Sequence, residues 1–293
     1  MSIFVRFWGT RGSIPTPGTG SARYGGNTAC IEIRTSKALI ICDGGTGLRE
    51  LGMHLMSRAS APSHLHAFFS HAHGDHIQGF PFFAPAYVPT NRITVYGQSV
   101  KGRTMHALLS GQMQHEYFPV SFSELSSTLE HGELGREVIV GDVRVTWMPQ
   151  DHPGGSLAYC FESQGSKVIY ATDSELDRQI ENLDEAEADL SRFRRLPSSL
   201  VDFMAGADLI IGDGQYFDGE YATKRGWGHP RAGTVVDLAV AARAKQLAIT
   251  HHDPMQTDRD VDRKVAEAQA RASAHGSSIQ VFGAREGFEL KIG

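Results

Sequence analysis

Residues 71–76 read His71-Ala72-His73-Gly74-Asp75-His76, directly after the apolar run Leu65-His66-Ala67-Phe68-Phe69. Four ligand-type side chains thus fall within six positions at the end of a short buried strand. A tight loop converges imidazoles and a carboxylate on a small volume, whereas a longer helix or strand spreads them along its axis. Imidazole nitrogen and carboxylate oxygen suit borderline or hard divalent metals, and no thiolate stands nearby to select a soft one. The same address recurs downstream. His152 follows the strand expected at 143–148, within PQDHPGGS. Asp173 follows 168–170 in YATDSE, and His251 and His252 follow 246–250 in THHDP. A polar group ending one strand is unremarkable. Several of them around one metal-type loop point to a shared site, held rigid by the sheet beneath.

Outward from this loop, strands are expected at 3–8, 29–34 and 38–42, then a helix over 47–58 with Leu48, Leu51, Leu55 and Met56 at helical spacing. Another strand fits 93–96. Residues 103–129 lack strand-like alternation and read as short helices, an insertion or lid at about 101–130 near the site. Strands resume at 138–140, 143–148, 157–162 and 168–170, before an exposed helix over 178–193 and a buried strand at 209–211. A helix over 234–243, a strand at 246–250, a long amphipathic helix over 258–275 and a final β pair, 279–282 with 288–291, complete the pattern. No Pro/Gly/Ser linker separates the halves. The chain therefore reads as one α/β domain over residues 1–293, with two sheets inside and helices outside.

HAHGDH, His152, Asp173 and THHDP together resemble the metallo-β-lactamase superfamily. FWGTRGSIPTPG, YGGNTACIEI and ICDGGTGLRELG narrow the resemblance to its phosphodiesterase branch, which contains ribonuclease Z-type tRNA endonucleases and cyclic-nucleotide phosphodiesterases. The resemblance covers nearly the whole chain and implies an αββα sandwich, two mixed sheets inside with helices on both outer faces. It implies two divalent ions, zinc foremost, with manganese or iron compatible. His71, His73 and His152 would hold the first, Asp75, His76 and His251 the second, and Asp173 would bridge them. Asp75 could also accept a proton, although cations beside it make it a weak base. His229, in RGWGHP, would alone read as a cap or turn residue; the resemblance places it at the scissile phosphate, stabilising charge or assisting the leaving group. A homodimer is also implied.

Other residues keep two readings at this level. Asp43, in ICDGG, either orients a ligand histidine or caps the following helix. His252 is either a supporting or substrate group or plain exposed polarity. The glycines of GTRGS and YGGN either offer N–H groups to a phosphate or simply form turns, with Arg11 and Asn27 as polar groups near the site. Tyr216 and Trp227 fit core packing better than contact with a base.

The formal net charge is −5, from 28 basic and 33 acidic side chains, and no basic tail or stripe is present. Broad electrostatic capture of nucleic acid is therefore not indicated. Cys30, Cys42 and Cys160 form no CxxC pair and read as core thiols of a reducing compartment. MSIFVRFWGTRG lacks the features of a signal peptide. No apolar run approaches the roughly 20 residues that span a bilayer. A cytoplasmic location and no membrane partner are expected. Together these features favour hydrolysis of a small phosphodiester such as a cyclic nucleotide. The alternatives are an RNA-processing endonuclease of the ribonuclease Z type, for which the usual basic arm is not evident, a thioester or lactone hydrolase, and a non-enzymatic metal sensor on the same scaffold.

Overall fold

A computed structural model describes residues 2–58 and 62–293. In its first half, strands β1 (Ile3–Gly9), β2 (Cys30–Arg34) and β3 (Leu39–Cys42) precede helix α1 (Gly47–Met56). Then come β4 (His64–Phe68), the one-turn helix α2 (Gly74–Ile77), β5 (Arg92–Tyr96), α3 (Met105–Gly111) and β6 (Thr128–His131). The second half runs β7 (Val138–Val140), β8 (Val143–Gln150), β9 (Ser156–Ser163), β10 (Ser166–Ala171), α4 (Leu183–Ala188), α5 (Ser198–Met204) and β11 (Leu209–Asp213). It closes with α6 (Ala232–Ala241), β12 (Gln246–Thr250), α7 (Asp258–Ala274), β13 (Gln280–Gly283) and β14 (Glu289–Ile292).

The strands form two seven-stranded sheets, ordered β14-β1-β2-β3-β4-β5-β6 and β13-β12-β11-β10-β9-β8-β7. Each is mixed. In the first, β3, β4, β5 and β6 are parallel while β14, β1, β2 and β3 are antiparallel. In the second, β10 to β13 are parallel and β7 to β10 antiparallel. Phe7, Phe68, Tyr159, Phe161 and Tyr170, all at most 1% exposed, fill the space between the sheets. Strands so covered on both faces must be apolar throughout, which is why β3 (LIIC) is buried at every position. Leu48, Leu51 and Leu55 of α1 with Met105 and Leu109 of α3 cover the outer face of the first sheet. Val235, Val236 and Ala239 of α6 with Ala268 and Ala272 of α7 cover the second. This is the expected αββα sandwich.

Parallel neighbours end on the same side, so the loops after β3 and β4 in one sheet meet those after β10, β11 and β12 in the other. β8 runs in the same sense as β10, because both are antiparallel to β9, and it delivers its loop to the same edge. Carboxyl ends of parallel strands are where open α/β sheets place their ligands.

Three local expectations are corrected. The closing β pair does not pair: β13 adds to β12 in one sheet and β14 to β1 in the other, so residues 284–288 cross between sheets. The stretch expected as helical at 103–129 ends in a strand, β6, because Thr128–His131 finds the open edge of β5. The single helix expected over 178–193 is broken. Asn182 Nδ2 donates to Phe193 O, and Arg195 N donates to Asn182 Oδ1, which folds the segment back on itself. Arg194, fully buried, is drawn inward by Asp218 (2.9 Å) and Thr234 (3.1 Å).

Candidate metal centre

The 71–76 loop leaves β4 and turns at once into α2, so Asp75 and His76 lie one helical step from His73. Across the cleft, Asp173 and His251 follow their strands with φ of 57° and 56°, and Asp43, beyond β3, has φ 59°. Left-handed backbone at a non-glycine residue costs on the order of 1 kcal/mol. Three such residues at converging strand ends mark a place where the chain is held against its local preference.

Donor atoms of His71, His73 and His152 lie within 4.8 Å of one another, and so do those of Asp75, His76, Asp173 and His251. Asp173 faces both groups. Its Oδ2 is 3.6 Å from His71 Nε2 and 3.6 Å from His152 Nε2. Its Oδ1 is 3.3 Å from His76 Nε2 and 3.2 Å from His251 Nε2. Asp75 Oδ2 is 3.2 Å from the Nε2 atoms of both His76 and His251. The structure thus brings all seven residues expected as metal ligands from the sequence into one cluster.

The far side of each ring fixes which nitrogen faces inward. His76 Nδ1 donates to Asp43 Oδ2 at 2.8 Å, His251 Nδ1 to Gln215 Oε1 at 2.9 Å, and His152 Nδ1 to Gly228 O at 2.9 Å. Ser70 Oγ donates to Asp43 Oδ2 (2.8 Å) and accepts from His71 Nδ1 (3.0 Å). Asp43 also accepts from Ser70 N (2.7 Å) and Tyr170 Oη (2.7 Å). It therefore orients histidines rather than capping α1, whose N-cap is Thr46. These contacts on Nδ1 leave Nε2 as the nitrogen that each ring turns towards the cluster. His71 Nε2 and His76 Nε2 are buried with no hydrogen-bond partner, and His73 Nδ1 faces His152 Nε2 at 3.1 Å. Buried nitrogens left unmatched cost roughly 1–3 kcal/mol each, and lone pairs facing carboxylates repel. A divalent cation relieves both, so this donor set of imidazole nitrogen and carboxylate oxygen fits one.

Burial pushes the His71 and His152 rings to lower pKa, which keeps them neutral and ready to ligate. Burial acts the same way on His251, but Asp173, Asp213 and Asp75 outweigh it and lift the ring to about 9. Burial raises Asp75, and the His76 and His251 rings more than reverse this, holding its carboxyl well below the usual range. In the metal-free protein His251 therefore carries a proton, which any metal bound at this ring would have to displace. Metal affinity should rise as pH climbs towards 9, with proton release on binding. The stability of the metal-free form runs the other way: the His251 contribution is whole below its ordinary 6.5 and is lost as pH rises through about 9. Zinc competition titrations at pH 6.5 and 8.5 test this; equal affinity at the two would contradict it.

His229 lies beside the cluster, its Nδ1 donating to Asp213 Oδ2 at 2.8 Å and standing 3.8 Å from Asp173 Oδ2. Asp213 escapes a sequence reading, although it ends β11 at the address of the other site residues. It also accepts from Asp173 N (3.2 Å) and Gln215 N (3.0 Å). Glu175, fully buried, is a second omission: it accepts from Tyr221 Oη, Gly226 N and Gly228 N and so fixes the carbonyl that holds His152.

Several looser expectations change. His252 is neither exposed nor in the cluster; it is fully buried, with Nε2 donating to Ala284 O and the ring edge-on to Tyr24. Arg11 is buried and donates to the carbonyls of Gly25, Asp253 and Gln256, while Asn27 pairs with Glu286. Both tie loops together. In GTRGS the Ser13 N–H is taken by Asp75 Oδ2 at 2.7 Å, and a Cβ at Gly12 would lie 2.4 Å from His251 Nδ1, so that turn buttresses the cluster. Tyr216 is core, edge-on to His229, but Trp227 is 59% exposed and does not pack inside. The three cysteines are buried and free. No helix among the described residues is long and apolar enough to cross a membrane.

The family described as the beta-lactamase superfamily domain matches residues 39–252. The ribonuclease Z of Macrococcus caseolyticus is 21% identical over 260 residues, covering 78% of this chain and 81% of its own. Among solved structures, the metallo-beta-lactamase fold protein YhfI from Bacillus subtilis is similar with a TM-score of 0.69 and 17% identity, over 99% of each chain. A diphosphatase from the PhnP family reaches a TM-score of 0.67 at 15% identity, over 98% of this chain and 97% of its own. A family match across most of the length, on this sandwich, means that the chain belongs to the metallo-β-lactamase superfamily.

Proposed function

We propose that this protein is a metal-dependent hydrolase of phosphodiester bonds that holds two divalent ions, zinc foremost, with small diesters as its preferred substrates. Asp173 carries this reading: one carboxylate oxygen faces His71 and His152, the other His76 and His251, all at 3.2–3.6 Å. His71, His73 and His152 would hold one ion and Asp75, His76 and His251 the other, with Asp173, facing both groups, shared between them. When bound, the ions supply Lewis-acid charge to the phosphoryl oxygens and lower the pKa of a water. The chain's own residues do the rest. Asp75, held low by its histidines, serves chiefly as a ligand and only weakly as a proton acceptor. Asp213 grips His229 Nδ1, so Nε2 is the nitrogen left to meet the phosphate or the departing oxygen, and the Asp213 charge balances the ring when it carries a proton.

The net charge of −5 and the absence of a basic arm in the sequence favour a compact substrate over a polynucleotide. The stretch at about 101–130 is tied to the site loop by Gln112 Nε2 donating to Ile77 O, which supports reading it as an insertion beside the site. Similarity to a ribonuclease Z supports RNA as the second reading. Metal-loaded protein offered a cyclic nucleotide, a linear dinucleotide, short RNA and a thioester separates these. Fastest turnover of a small diester is expected. Preference for RNA overturns the substrate size, and cleavage of the thioester alone overturns the reaction class.

A further inference from the structure

We infer that Trp227 is a stacking platform for a nucleobase, so that the diester cleaved here is a nucleotide with its base beside the scissile phosphate. The inference rests on the function proposed above. Trp227 is an indole 59% exposed, two residues from His229 and one from Gly228, whose carbonyl accepts from His152. Two peptide units span at most about 7.6 Å, so the ring is rooted at the rim of the metal cluster.

Its backbone is not a loose loop. Gly226 and Gly228, with φ of 87° and 89°, flank it in a conformation that L side chains rarely adopt. A Cβ at Gly228 would lie 2.3 Å from His152 Nδ1, so only glycine lets the chain come this close. The fully buried Glu175 carboxylate accepts the N–H groups of both glycines, at 2.6 and 3.0 Å. A large apolar ring is thus presented outward by a strapped segment, where burial would have been its cheaper fate.

Lys224 Nζ sits 4.4 Å from the Trp227 ring and 5.7 Å from the Tyr216 ring, which itself packs edge-on against His229 with centroids 6.0 Å apart. The ammonium is therefore within cation–π range of both the exposed indole and the ring that backs His229. A base stacked on Trp227 would bring its phosphate within reach of His229, two residues along the chain, and of the Lys224 charge that lies over the indole. Stacking tolerates any base, so the site selects for a nucleoside without choosing its sequence.

Two esters with the same leaving group test this: thymidine 5′-(p-nitrophenyl phosphate) and methyl p-nitrophenyl phosphate, each with zinc-loaded protein. In the wild type KM for the nucleoside ester is expected to be lower by roughly tenfold, as one stacked base warrants. Trp227→Ala should collapse that ratio towards one, and Trp227→Phe should restore most of it. A wild type with equal KM values, or a ratio that survives Trp227→Ala while both esters turn over, overturns the platform and leaves the phosphodiesterase reading standing. A wild type that cleaves neither ester overturns that reading, and the platform with it.

Discussion

Asp173→Ala is expected to strip most of the bound divalent metal from the protein and to lower turnover of an activated phosphodiester by more than about 100-fold. Loss of a group that merely orients a ligand typically costs about 10–100-fold in affinity or activity. Asp173 does more, since its two oxygens lie 3.2–3.6 Å from four imidazole nitrogens on opposite sides. Without it the His71–His152 and His76–His251 pairs face each other with no anion between them, and two cations would repel across the gap. Alanine also fits the local φ of 57° poorly, so Asp173→Asn, which tolerates that backbone, separates the loss of charge from strain. Elemental analysis after dialysis should find less than one ion per chain in both variants. Full metal content in Asp173→Asn would deny Asp173 the bridging role.

The second large effect is expected at His229. His229→Ala should lower kcat by about 10²–10³-fold, the usual cost of removing a donor aimed at developing charge, while metal content stays at the wild-type level. The distinction matters because Asp173, Asp213, His229 and His251 also bring their donor atoms within 4.8 Å of one another. Were His229 a ligand, its loss would lower metal content and activity together. The hydrogen bond to Asp213 speaks for the other assignment: Nδ1 is engaged at 2.8 Å by a carboxylate that makes three such contacts, leaving the ring one nitrogen for substrate. Unchanged kcat in a fully loaded variant would remove His229 from the reaction.

What the sequence made legible follows from where the information is stored. HAHGDH is local: four donors in six residues declare themselves without a partner. His152, Asp173 and His251 could be added because each follows an apolar run, and parallel strand ends share an edge. Asp213 sits at the same address after LIIG but is a lone carboxylate, and nothing local separates it from a turn residue. Beyond Gln215, its partners lie 16 and 40 residues away. Asp43 was undecidable for the same reason, as Ser70, His76 and Tyr170 reach it only after folding. Glu175 looks like any acidic loop residue, and only its burial reveals it as the anchor of residues 226–228. Trp227 misleads in the opposite direction, because composition places a tryptophan inside and two glycines turn it out. Strand partners followed similar limits. The 279–282 and 288–291 runs are a hairpin's distance apart, yet each sheet had an open edge, and the longer-range pairings won.

Anomalous diffraction from crystals of the zinc-loaded protein tests most directly that seven side chains from distant strand ends enclose a pair of cations. Two peaks about 3.5–4 Å apart are expected, one among His71, His73 and His152, the other among Asp75, His76 and His251, with Asp173 touching both. Zinc located elsewhere, or a loaded protein with no peak beside Asp173, would contradict the account.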